Sequence, residues 1–247
     1  MTAKIKTEKM YCGRAVALAV AAASTVFMPI AGTALADDLA QTCPVSEKVR
    51  GHENTEWQIA YAYHLTDANK GLPRVLLVGD SICNGYQGDV RSFLNGKVNV
   101  SYWVSSYCVT SPNYLKMLDL QLEEAKFDVI HFNNGLHSLQ TPTEAYEKGM
   151  CAALELIRRK QPGAKIVWCS STPLKDAEKT AKVKTLNAAA AKVVARLGGI
   201  ATNDLFALLD PLDRNKNWTD TFHHNRETRR KEARKVADGV LSAVKGK

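Results

Sequence analysis

The sequence is short of the features that would place it in an unusual class. Its six cysteines include no pair at C-x-x-C spacing, so neither a zinc site nor a thioredoxin-like motif is indicated. Fifteen glycines and eight prolines in 247 residues argue against collagen and against wholesale disorder. There is no internal repeat and no low-complexity linker, and beyond the N-terminal segment no apolar run reaches the roughly 20 residues that span a bilayer. No stretch resembles a nucleic-acid-binding motif. What remains is an ordinary globular composition, 45% hydrophobic and 23% charged, with a net charge of +8.

Part of that charge belongs to the N-terminus, which reads as a secretory signal. Lys4, Lys6, Lys9 and Arg14 form a basic region, an apolar stretch runs from Ala15 to about Met28, and Pro29 and Gly32 break it. Ala34-Leu35-Ala36 then offers a peptidase site, so residues 1–36 are expected to be removed and the protein to reach a periplasm or the medium. Cleavage near Ala36 takes four of the 33 basic residues and one of the 25 acidic ones, lowering the net charge from +8 to +5. It leaves Cys43, Cys83, Cys108, Cys151 and Cys169, an odd number whose pairing cannot be read from sequence.

Residues 37–72 form a lead-in segment with a short helix expected around Glu56–His64. From residue 73 onward, apolar runs alternate with amphipathic ones. Val75–Val78 reads as a strand buried on both faces, followed by strand candidates at Val98–Val104, Asp128–Phe132, Lys165–Cys169 and Gly199–Thr202. Between them lie helical stripes: Tyr146, Met150, Leu154 and Ile157; Val183, Leu186, Ala190, Val193 and Leu197; Ala233, Val236, Val240 and Val244. This alternation predicts a single three-layer α/β domain over residues 73–247. Its five-stranded, mostly parallel sheet would be of flavodoxin-like type, with ligands at the carboxyl ends of the strands.

A serine stands where that rule puts a site. Gly79-Asp80-Ser81-Ile82 follows the first strand, so Ser81 can face a crevice with backbone N–H groups nearby. A serine hydroxyl is a weak nucleophile until a base takes its proton. Asp220-Thr221-Phe222-His223, just before the last helix, offers a base and an orienting acid on one loop.

These blocks resemble those of the SGNH (GDSL-type) hydrolases, over most of residues 72–245. Val75–Ile82 is similar to that family's nucleophile block and Asp220 with His223 to its D-x-x-H block. The resemblance implies Ser81 as nucleophile, His223 as general base and acid, and Asp220 as the group that orients it. The stretch Asp128–Ser138 looks like the segment carrying the family's G-x-N-D block and is closest to a bacterial branch with N-x-G-L-H-D. Here Gly135-Leu136-His137-Ser138 puts His137 where the usual oxyanion-hole asparagine would fall, so Asn133, Asn134 or His137 supplies the side-chain donor, with Gly135 in the same block. The second block, Ser105–Thr110, lacks the usual glycine and leaves Val109 as a candidate backbone donor beside the N–H of Ser81.

The resemblance implies an exported esterase without cofactor or metal, acting through an acyl-serine on short acyl groups of a carbohydrate. A lipase or lysophospholipase and a non-catalytic glycan-binding relative are the alternatives. Its partner would then be a small-molecule or glycan ester, not nucleic acid, and it would have no stable membrane anchor. Cys83 is expected to be buried rather than nucleophilic, and adjacent His224 is not expected to ligate a metal. Arg226, Arg229, Arg230, Lys231, Arg234 and Lys235 lie opposite the apolar stripe of the last helix and read as a solvated face, with an anionic glycan or phospholipid surface as minor readings.

Overall fold

A run such as Val75-Leu76-Leu77-Val78 is stable only where both faces of its strand are covered. The computed structural model, which describes residues 56–246, places it inside a six-stranded sheet. The strands are β1 (Gln58–Tyr61), β2 (Arg74–Gly79), β3 (Asn99–Ser105), β4 (Val129–Phe132), β5 (Lys165–Cys169) and β6 (Ile200–Asn203), in the order β1-β3-β2-β4-β5-β6. All ladders are parallel except that of β1 with β3. The helices are α1 (Ser81–Leu94), α2 (Pro112–Glu123), α3 (Thr143–Lys160), α4 (Ala177–Leu197), α5 (Leu205–Leu209), α6 (Arg214–Asn217) and α7 (Arg226–Lys245).

The two-residue period of the strands divides the core into two layers. Leu76, Val78, Ile130, Phe132, Ile166 and Trp168 face Tyr114 and Leu118 of α2, Met150 and Leu154 of α3, and Leu186 and Val193 of α4. Val75, Leu77, Val129 and Val167 face Tyr86 and Val90 of α1 and Ala233, Val236 and Val240 of α7. The result is a single three-layer α/β domain with a mostly parallel sheet.

Two expectations are corrected. The sheet has six strands rather than five, and the segment expected as a helix around Glu56–His64 supplies the additional one, pairing antiparallel to β3 from Gln58↔Ser105 to Tyr61↔Tyr102. The reason is non-local. The edge of β3 offers a free ladder, the Trp103 indole donates to Gln58 Oε1 at 3.0 Å, and Tyr61 stacks on Tyr102 at 5.4 Å. Arg91 closes the patch, lying 4.1 Å over the Tyr61 ring. Helix α2, whose stripe of Tyr114, Leu118 and Leu122 packs into the core, is a further element that the sequence reading does not include.

The signal segment, its cleavage point near Ala36 and Cys43 lie outside the described residues. The four described cysteines Cys83, Cys108, Cys151 and Cys169 are free thiols. Among the described residues, no helix is long and apolar enough to cross a membrane.

Candidate active site

The strand order reverses direction at β2. The chain leaves β2 for β3 on one side and returns to β4 on the other, which opens a crevice beyond the carboxyl ends of these strands. Ser81 follows β2 directly as the first residue of α1. Its neighbour Asp80 caps the helix, accepting the Ile82 N–H at 2.9 Å. The turn is tight: a Cβ on Gly79 would lie 2.5 Å from Cys83 Cβ, so glycine is required there by close packing. As the first helical residue, Ser81 keeps an N–H with no intrahelical acceptor.

The loop between α6 and α7 brings the other two groups. It is held as a small antiparallel turn by a Trp218↔His224 bridge, by the Thr219 N–H on the His223 carbonyl at 2.9 Å, and by the Asn225 N–H on the Asn217 carbonyl at 2.9 Å. Within it, Asp220 Oδ1 accepts the N–H groups of Phe222 and His223, both at 2.8 Å. The same carboxylate meets His223 Nδ1 at 2.9 Å through Oδ2, and His223 Nε2 lies 2.9 Å from Ser81 Oγ. An ionised carboxylate only accepts, so Nδ1 carries the hydrogen and Nε2 is left to accept from the serine hydroxyl.

Burial works to raise the Asp220 pKa, but the two backbone N–H groups and the imidazole outweigh it and hold the carboxyl at about 2. This carboxylate is therefore charged at any pH at which the histidine could act as a base. The pair is open to solvent, with His223 43% and Asp220 56% exposed at the side chain. Cys83, one turn into α1, offers no rival nucleophile: burial pushes its thiol up to about 12.

The oxyanion candidates separate by how their hydrogens are used. Asn133 spends both amide hydrogens, one on the Cys169 carbonyl at 2.8 Å and one on Ser171 Oγ at 3.2 Å. The Val109 N–H is committed as well, donating to Asn134 Oδ1 at 3.0 Å, which corrects its reading as a donor to substrate. Asn134 gives one amide hydrogen to the Tyr107 carbonyl at 2.9 Å, and its side chain also meets the Tyr114 hydroxyl. Its Oδ1 also accepts from Ser138 Oγ, and its carbonyl takes the Tyr146 hydroxyl at 2.6 Å. Gly135 makes room for this packing, since a Cβ there would stand 1.9 Å from Ser171 Oγ. His137 packs edge-on against Trp57, with ring centroids 6.4 Å apart. Asn134 is thus held in place by Tyr107, Val109 and Ser138.

One residue of the neighbourhood escapes sequence reading: Glu232 of α7, whose carboxylate lies 3.1 Å from His224. Glu232 carries a signal that could have found it, because it lies four residues before Val236 and eight before Val240, on the apolar stripe, where a carboxylate needs a partner. Trp103 and His131 belong to the core, both fully buried, with His131 Nε2 on Asn203 at 3.1 Å and its pKa lowered by burial to about 4.

No family model matches the chain, and no curated protein sequence matches it. Solved structures do. A carbohydrate esterase family 3 enzyme from Talaromyces cellulolyticus aligns with a TM-score of 0.55 at 13% identity, over 71% of this chain and 100% of its own. A GDSL-like lipase from Bacteroides thetaiotaomicron aligns with a TM-score of 0.56 at 14% identity, over 74% and 93%. A protein of Slackia heliotrinireducens assigned to the SGNH hydrolases aligns at 0.53 and 16%, over 69% and 100%. The fold is that of the SGNH hydrolases. In this SGNH fold the six-stranded sheet carries β1 as its antiparallel edge, and the Ser81–His223–Asp220 chain stands at the switch point between β2 and β4.

Proposed function

We propose that this protein is an exported serine ester hydrolase that removes short acyl groups, acetyl foremost, from a carbohydrate. The observation that carries the reading is the hydrogen-bonded chain from Ser81 through His223 to Asp220, with both links to the imidazole at 2.9 Å. Ser81 Oγ attacks the ester carbonyl carbon while His223 Nε2 takes its proton, and Asp220 stabilises the imidazolium so formed. The oxyanion is met by the Ser81 N–H and by the Asn134 amide, turned from Tyr114 toward the substrate. Collapse breaks the bond to the alcohol, which leaves with the proton from His223. Water, giving its proton to His223, then attacks the acyl-serine, releases the acid and restores the serine.

The preference for a carbohydrate has two supports. A carbohydrate esterase is among the proteins of the same fold, and Asn84, Thr219, His223 and Arg229 give the cavity beside Ser81 polar groups that can meet a hydroxylated alcohol. Hydrolysis of p-nitrophenyl acetate by the wild type and by Ser81→Ala tests the reading. The variant is expected to lose nearly all activity while keeping its fold. Equal rates would overturn the proposal and leave a glycan-binding role for the same fold. Acetylated sugars set against long-chain esters then decide between the carbohydrate and the lipase readings.

A further inference from the structure

A cavity of about 370 Å³ opens directly beside Ser81 and His223, between the first turns of α1 and α7. Its charged lining is Arg229, His224 and Glu232. The last two meet at 3.1 Å with both side chains fully buried. Arg229 is the charged group of the lining whose donors are not taken by a hydrogen bond or a close ion pair.

Three of the basic residues around it on α7 are otherwise engaged. Arg230 pairs with Asp89 at 3.4 Å, Lys231 with Glu227 at 2.8 Å, and Arg234 lies 3.7 Å over the Phe93 ring. Arg229 is half-buried and makes no hydrogen bond or ion pair among the described residues. Its stem is seated against α1 at Gly85, where any Cβ would come within 3.2 Å of Arg229 Cδ. A guanidinium partly withdrawn from water, without a partner and fixed at the mouth of a reactive pocket, fits an incoming carboxylate, which it can engage through two parallel N–H donors.

We propose that this cavity binds a carboxylate on the alcohol side of the ester, with Arg229 as its anchor, so that the substrate is an acylated acidic sugar rather than a neutral one. The inference rests on the esterase reading above and names its substrate class. The Arg229 side chain touches substrate but takes no part in the proton transfers.

The test compares an acetylated methyl glucuronoside with the matching acetylated methyl glucoside. Wild type is expected to favour the charged ester in kcat/KM. Arg229→Gln should reduce that preference by about 10- to 100-fold, the scale of losing a hydrogen bond to a charged group. Arg229→Lys should fall between, because it keeps the charge without the fork. Arg230→Gln, altering a residue already paired with Asp89, should leave the preference as in wild type. In parallel, calorimetry on Ser81→Ala protein should detect the deacetylated glucuronoside more tightly than the glucoside, and lose that difference with Arg229→Gln added. Equal preference in wild type and Arg229→Gln, or equal binding of the two sugars, would overturn the inference and leave the esterase reading standing. Arg229-dependent binding without hydrolysis of either ester would overturn the esterase reading alone, and neither binding nor hydrolysis would overturn both.

Discussion

His224 Nδ1 lies 3.1 Å from Glu232 Oε1, with both side chains wholly shielded from solvent. The approach is that of an ion pair rather than an aligned hydrogen bond, since none of the four side-chain nitrogen and oxygen atoms has a hydrogen-bond partner. It ties the loop bearing His223 to α7, and the Trp218 ring, 4.6 Å away and edge-on, covers it. Burial raises the Glu232 pKa, while His224 and then Arg229 pull it back.

Breaking this pair from one side should therefore cost much more than replacing it whole. Glu232→Ala leaves a buried imidazole without its partner and is expected to cost about 3–5 kcal/mol in chemical denaturation. The double variant His224→Phe with Glu232→Leu should recover most of that stability, because an apolar pair carries no desolvation penalty. If the double variant is as unstable as the single one, the pair is not an isolated ionic contact.

Asp220 makes a prediction about acid. Its folded pKa of about 2 is below the ordinary 3.8, so the stability it contributes is fully present above 3.8 and is lost as pH falls through about 2. Asp220→Asn should flatten that loss in denaturation curves taken across this window, by a modest amount because the side chain is 56% exposed. In the esterase assay at neutral pH the same variant should lower kcat by roughly 10⁴-fold, as expected when the orienting acid of a triad is replaced and the imidazole takes the wrong tautomer.

Asn134 is expected to act in the transition state. Asn134→Asp retains an oxygen for the Val109 N–H and the Ser138 hydroxyl but removes the amide hydrogens. By the reading above, kcat should fall about 10²- to 10³-fold with little change in KM. An unaltered kcat would reassign the oxyanion donor to another group.

Much of the fold is legible in the sequence because it is written in short-range pattern. Val75–Val78 must be covered on both faces, and stripes such as Met150, Leu154 and Ile157 must turn one face to a core. A pattern argument cannot find β1: its residues are largely exposed, and its conformation is decided by the free edge of β3, Trp103 and Arg91, all remote in sequence. Ser81, Asp220 and His223 are likewise legible as candidates, the latter two through a local D-x-x-H spacing.

What the sequence by itself determined is thus the layered α/β plan and the residue types able to do acyl-transfer chemistry. Tertiary structure alone decided which hydrogens remain to do it. Asn133 and Asn134 are adjacent and chemically identical, yet one spends its amide on Cys169 and Ser171 and the other on Tyr107, Val109 and Ser138. Likewise Glu232 and Arg229, one turn apart on α7, differ because the acid is fully buried against His224 while the cation, half-buried, lines the cavity beside Ser81. Composition and spacing count donors and charges, whereas their availability depends on partners that the fold brings in from elsewhere in the chain.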